Sequence, residues 1–264
     1  MLELQNISLT FNEETADEKK VLKDINLKLH KGEFVTVIGS NGAGKSTVMN
    51  IISGSLFPDV GHVFVNEYRV TTLPEYRRSR YVGRVFQDPM AGTSPSMTIE
   101  ENLAIAYSRK KTRTLNLGVN KKRREFFKKA LASLNLGLEN RLNMKVGLLS
   151  GGERQALSLL MATFTDPDIL LLDEHTAALD PSRAELITDL TKKVVEKTQL
   201  TTIMVTHNMQ QALDLGNRLI MMDDGEIILD IKGAEKEALT IGKLLHEFKR
   251  IRGEQLDNDR VVLG

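Results

Sequence analysis

The eight residues Gly39-Ser40-Asn41-Gly42-Ala43-Gly44-Lys45-Ser46 follow the pattern GxxxxGK[ST]. They stand between a short apolar run, Phe34-Val35-Thr36-Val37-Ile38, and a helix-patterned segment, Thr47 to Ser53, closed by Gly54. No other feature constrains the fold as much. A glycine-rich turn leading from a buried strand into a helix frees backbone N–H groups to wrap a phosphate chain at the helix N-terminus. In such a turn Lys45 reaches the β- and γ-phosphates and the Ser46 hydroxyl ligates Mg²⁺. A glycine-rich turn with a chance lysine would need neither the strand before it nor the helix after it. The chain is therefore expected to bind a nucleoside triphosphate.

Two further apolar runs, Ile169-Leu170-Leu171-Leu172 and Thr202-Ile203-Met204-Val205, have the same character. Such runs suit strands buried on both faces of a parallel sheet, where ligand chemistry gathers at the carboxyl ends. The start, Met1 to Phe11, and Val21 to Leu29 instead alternate apolar with polar residues, with Lys31-Gly32-Glu33 as a turn, and predict an antiparallel opening. Leu219–Met222 and Glu226–Leu229 read as a hairpin around Asp224-Gly225. From about Asp88 to Gln155 no run resembles a core strand, while Thr98–Tyr107 and Lys121–Leu134 carry helical patterning. The expected fold class is α/β. It comprises a P-loop NTPase core (a mostly parallel sheet with helices on both faces), an antiparallel β subdomain and an inserted α-helical subdomain. The expected division within one domain of 1–264 is a core over 1–87 and 156–230, a helical insert over 88–155 and a tail over 231–264, helical from Ala234 to about Arg252.

Composition narrows the function classes. Without cysteine there are no disulfides, thiolate zinc sites or cysteine nucleophiles. With 36 Lys+Arg against 35 Asp+Glu, net charge gives no global reason to seek nucleic acid or an anionic membrane. The basic stretches Arg109-Lys110-Lys111-Thr112-Arg113 and Lys121-Lys122-Arg123-Arg124 could meet phosphate backbones or lipid headgroups. Lacking interleaved aromatics for base stacking, they read better as a solvated helix face and loop, and no nucleic-acid partner is expected. No apolar run reaches the roughly 18 residues of a membrane span, and the start lacks the pattern of a signal peptide. A chain that stays in the cytosol and meets a membrane only through a partner is expected.

Two more stretches carry chemistry. Asp173-Glu174 closes the run Ile169–Leu172, where buried carboxylates need a cation or hydrogen bonds. Asp173 suits the Mg²⁺ shell, and Glu174 is free to act as general base on the attacking water. Leu149-Ser150-Gly151-Gly152-Glu153 opens a helix as a second anion-binding N-terminus. One triphosphate has no geometric need for two such cradles within one chain, and two chains paired head to tail solve the problem.

At this point the chain resembles the nucleotide-binding subunits of ATP-binding cassette (ABC) transporters, whose LSGGQ signature stands here as LSGGE, from about Leu2 to about Ile228. The resemblance implies that Gly39, Ser40, Asn41, Gly42, Ala43, Gly44, Lys45, Ser46 and Thr47 of one subunit sandwich each ATP with Ser150, Gly151, Gly152 and Glu153 of the other. It further implies that Gln87 touches Mg²⁺ and the attacking water, that Asp180 signals across the dimer, and that His207 contacts the γ-phosphate. Phe11 stands where the family stacks a ring on adenine, although a lone Phe is more often core. Asp180-Pro181 also reads independently as a helix N-cap with Pro at the first helical position. One departure is His175, where the family usually has proline. The wording Asp173-Glu174-His175-Thr176-Ala177-Ala178-Leu179-Asp180-Pro181 resembles a bacterial subgroup serving permeases of the branched-chain or aromatic amino-acid kind.

The function implied is an ATP-hydrolysing, energy-coupling subunit on the cytoplasmic face of a membrane, working with a permease and, for an importer, an extracytoplasmic substrate-binding protein. A soluble cassette of iron–sulfur cluster assembly and an exporter subunit are the alternatives. A P-loop kinase or helicase would need neither LSGGE nor Ala178-Leu179-Asp180.

Overall fold

The computed structural model describes residues 1–110 and 119–250. Strands β1 (Leu2–Phe11) and β2 (Lys19–Leu29) are followed by β3 (Phe34–Gly39), α1 (Lys45–Ser53), β4 (Val60–Val65), β5 (Tyr68–Arg69), α2 (Glu75–Arg78) and β6 (Val82–Val85). Then come α3 (Ile99–Tyr107), α4 (Lys121–Ala132), 3₁₀ turns at Leu138–Asn140 and Val146–Leu148, and α5 (Gly151–Thr163). The order closes with β7 (Ile169–Asp173), α6 (Pro181–Thr198), β8 (Thr201–Val205), α7 (Met209–Asp214), β9 (Arg218–Asp223), β10 (Glu226–Lys232) and α8 (Ala234–Glu237).

Two sheets result, an antiparallel one in the order β2-β1-β4-β5 and a larger one in the order β10-β9-β3-β8-β7-β6. The larger sheet is parallel from β9 to β6, with β10 antiparallel at its edge. In β1 the alternation slips once. Asn6, left-handed at φ 52°, sits at a register shift that returns Ile7 and Leu9 to the buried face of Leu2 and Leu4.

Period-two alternation in the central strands separates two cores. Val35, Val37, Ile169, Leu171, Ile203 and Val205 pack with α1 and the antiparallel sheet. Their neighbours Phe34, Leu170, Leu172 and Met204 pack with side chains of α3, α4, α5 and α6 on the other face. Both faces are therefore dry, which explains why these strands read as continuous apolar runs. Strands β4 and β6 carry no comparable signal. Each is short, and each is interrupted by a glycine, Gly61 and Gly83.

After Ala234 the described part of the tail is helical in two pieces. Helix α8 ends at Glu237, residues 239–240 are non-helical, and a new helix over 241–250 starts where Thr240 Oγ1 accepts from the Lys243 N–H at 3.3 Å. Residues 251 and 252 of the expected helical tail lie outside the described residues, as do Lys111, Thr112 and Arg113 of the basic stretch. The two arginines of the second basic stretch are engaged within the chain. Arg124 Nε lies 3.0 Å from Glu100, and the Arg123 guanidinium lies 5.7 Å from the centroid of the Tyr107 ring. Among the described residues no helix is long and apolar enough to cross a membrane.

A fully buried arginine fastens the C-terminal end of α1. Arg78 donates through Nε to Leu73 O at 2.9 Å, through Nη1 to Ile52 O at 3.2 Å and also to Ile51 O, and through Nη2 to Thr71 O. Burial lowers its pKa to about 10, so it stays charged at neutral pH and complements the negative end of the helix. Arg78→Met is expected to lower unfolding stability by roughly 3 kcal/mol, because several buried carbonyls lose their donors together. Urea denaturation measures this, and a change within experimental error would contradict the role.

Candidate functional site

The turn from β3 into α1 forms one wall of a cleft of about 440 Å³, lined also by Phe11, Lys19, Val21, Glu174 and His207. Gly44 must be glycine. It is left-handed at φ +93°, and a Cβ there would sit 2.6 Å from the Leu22 side chain. Gly42, also left-handed, would direct its Cβ into open space with nothing within 4 Å, as a cradle for a ligand requires. Lys45 is buried, and its ammonium donates to Gly39 O at 2.9 Å and Ser40 O at 2.8 Å. Burial lowers its pKa, against the pull of Glu174 and Asp173. Ser40 Oγ donates to Asp223 Oδ1 at 2.5 Å, tying the turn to the end of β9. Phe11, the last residue of β1, is 38% exposed on the cleft rather than in the core, and so is available for stacking.

Both acids stand at the end of β7. Asp173 is buried and paired with Arg84, Nη2 to Oδ2 at 2.8 Å. Arg84 also donates to Asn50 Oδ1 at 2.7 Å and Ser53 Oγ at 3.2 Å, and stacks 4.6 Å from the centroid of the Phe86 ring. Glu174 takes a left-handed φ of 45°, its N–H donates to Val205 O at 3.0 Å, and Oε1 lies 2.5 Å from His207 Nε2. The pair faces the phosphate turn across the cleft.

His175 is fully buried, and its Nε2 lies 3.0 Å from Thr191 Oγ1. Thr191 spends its own proton on Ile187 O at 2.8 Å, so it accepts here and Nε2 carries the hydrogen. Burial pushes the imidazole down to about 4. A neutral hydrogen bond to α6 therefore pins the chain after Glu174, at the position where proline would have stiffened it.

The remaining candidates lie outside that cleft. Gln87 is exposed just after β6. Ser150 is the N-cap of α5, forming a capping box in which its Oγ accepts from Glu153 N and Glu153 accepts from Ser150 N at 2.8 Å. Glu153 also pairs with Arg141. Burial works against its charge, yet the bonds from Arg141 and Ser150 hold its carboxyl below the ordinary range. Either Glu or Gln satisfies a capping box, which accounts for LSGGE. Asp180 caps α6 by accepting from Arg183 N at 3.2 Å, with Pro181 at the first position. Bonds from Ser182 and Arg183 hold its carboxyl low.

Sequence reasoning missed Arg84 and the link from Gln155 Nε2 to Phe86 O at 3.2 Å. The only available signal for either was a polar residue inside an apolar pattern.

A family model described as "ABC transporter" matches residues 22–177. The chain belongs to the ABC transporter family. The cassette is 43% identical to a tyrosine transport ATP-binding protein of Clostridioides difficile, over 94% of this chain and 99% of that one. It is 33% identical to a xylose/arabinose import ATP-binding protein of Sulfolobus acidocaldarius, over 94% of each. A solved ATP-binding cassette, dimeric in a post-hydrolysis state with ADP and Pi, superposes with a TM-score of 0.76 at 31% identity, covering 88% of this chain and 98% of that one. A dimeric bacterial ABC transporter cassette gives a TM-score of 0.74 at 32% identity, over the same shares. The cassette is thus an α/β ABC ATPase that binds and hydrolyses ATP as a subunit of an ABC transporter.

The residues also fit magnesium. Ser46 and Asp173 offer hard oxygens, while among the described residues no group of three or more His, Cys, Asp or Glu could hold a metal alone. Such a set suits an ion shared between protein and phosphates.

Proposed function

We propose that this cassette drives import of an amino acid, tyrosine or a close analogue, through a membrane permease on whose cytoplasmic face it sits, with an extracytoplasmic binding protein delivering the solute. The observation that carries the solute class is the 43% identity to the tyrosine transport subunit over nearly both whole chains, ten points above the sugar-import relative over the same share of this chain.

In this reading two copies pair head to tail. Phe11 stacks on adenine, and residues Gly39 to Thr47 hold the phosphates. Lys45 leaves the Gly39 and Ser40 carbonyls for the β- and γ-phosphates. Ser46, Asp173 and Gln87 would hold magnesium, which when bound offsets charge on the phosphate oxygens. Glu174 takes a proton from the attacking water, and His207, already bonded to Glu174, orients both. Ser150, Gly151 and Gly152 of the partner copy present the α5 N-terminus to the same triphosphate, with Glu153 holding its geometry, and Asp180 meets the partner loop. The segment 88–155 is the insert that carries the permease-facing surface and links it to Gln87, between the core of 1–87 and 156–230 and the tail of 231–264.

Depleting the chain from its own cells is expected to abolish ATP-dependent uptake of labelled tyrosine, restored by the parent chain and not by Lys45→Ala, with xylose uptake unchanged. Normal tyrosine uptake in depleted cells would overturn the solute assignment.

A further inference from the structure

Three threonine hydroxyls from three parts of the chain converge on the Gln211 side chain of α7. Gln211 Oε1 accepts from Thr206 Oγ1 at 2.7 Å, and Nε2 donates to Thr188 Oγ1 at 3.0 Å and to Thr176 Oγ1 at 3.4 Å. Proton bookkeeping fixes the amide's orientation. Thr188 gives its hydrogen to Ala184 O at 2.8 Å and can only accept from Gln211. Thr206 accepts from Asn208 N at 3.1 Å and gives its own hydrogen to Oε1. A primary amide, with one acceptor and two donors, is the side chain that satisfies all three at once.

These partners lie beside the chemistry. Thr206 precedes His207, Thr176 follows Glu174 by two residues, and Thr188 sits in α6, whose N-cap is Asp180. The Leu179 N–H donates to Thr176 O at 3.2 Å, so Thr176 belongs to the turn that delivers Asp180. All three threonines and Gln211 line the groove that continues from Glu174 and His207 between α6 and α7. The bonds to Thr206 and Thr188 have ordinary lengths, whereas the leg to Thr176 is beyond the usual range for N–H···O. The amide is thus anchored on α6 and on the His207 segment, and it reaches the Glu174–Asp180 turn by its weakest bond.

We propose that Gln211 is a positioning residue that couples the Asp180 turn to His207, its leg to Thr176 tightening when Asp180 meets the partner copy, so that contact across the dimer steadies the Glu174–His207 pair already formed within one chain. This rests on the site reading above. The carboxylate of Gln211→Glu brings no donor to Thr188, which has only lone pairs to offer, and Gln211→Met removes all three legs.

The test is steady-state ATP turnover of the full chain together with affinity for a fluorescent ATP analogue. Both variants are expected to lose about tenfold in kcat while KM and nucleotide affinity stay within about twofold, because the Gly39–Ser46 turn is untouched. Thr188→Val, which deletes the anchoring acceptor, should reproduce the loss even if one Gln211 variant folds poorly. Coupling is read from a double-mutant cycle. Gln211→Met should cost far less in an Asp180→Ala background than alone, whereas additive losses, or a fall in affinity matching the fall in kcat, would overturn the proposal. If Glu174→Gln hydrolyses at the parent rate the site reading itself falls. If Glu174→Gln is inactive and the cycle is additive, only the role of Gln211 falls.

Discussion

Glu174→Gln is expected to cut ATP turnover by about 10²- to 10⁴-fold while leaving nucleotide binding intact. Gln has the same length, can keep the contact with His207 now made by Oε1 at 2.5 Å, and leaves the bond from residue 174 N to Val205 O unchanged. What it lacks is a basic oxygen to take the proton from water. The phosphate turn and Lys45 are unaltered, so ATP still closes the dimer, which then cannot reset. Size-exclusion chromatography with ATP should show a persistent dimer that the parent protein shows only transiently. Turnover near the parent rate would remove Glu174 as the base.

Mixing Lys45→Ala and Ser150→Arg chains, both in the Glu174→Gln background so that ATP is trapped rather than consumed, should give mixed pairs holding one ATP each. Ser150 opens α5 with a short hydroxyl returned to Glu153, and a long cationic side chain there fills the space in front of the first N–H groups of the helix. A homodimer of either variant then has both sites spoiled. In the mixed pair one site combines the two lesions, and the other joins the intact turn of one chain to the intact α5 N-terminus of its partner. Labelled ATP retained per pair measures the outcome, and zero or two would contradict a head-to-tail sandwich. That arrangement agrees with Ser150 and Asp180 lying outside the cleft that Lys45, Glu174 and His207 share.

Local rules made much of this molecule legible. Gly39–Ser46 runs from the end of β3 into the first turn of α1 as its pattern required, Asp173 and Glu174 stand at the end of a buried strand, and Asp180-Pro181 caps α6. Asp224-Gly225 turns the β9–β10 hairpin. Each of these depends on neighbours within a few residues, where turn geometry, capping and strand burial act directly on the chain. Strands β4 and β6 were less legible, because short glycine-interrupted strands draw their stability from the sheets they join.

The sequence by itself determined that a phosphate-binding turn, a pair of acids and a second helix N-terminus occur on one chain, and in what order, because each is written in adjacent residues. Only the tertiary structure decided their partners. Arg84 meets Asp173 because the parallel register sets Arg84 beside Leu171 and the pleat turns Arg84 and Asp173 to the same face, 89 residues apart in the chain. His175 replaces a stiff proline by bonding to α6, and Gln211 joins three threonines that no spacing rule brings together. Such contacts are made by packing between elements, and a side chain's partner across a fold depends on register and layer, which no local pattern encodes.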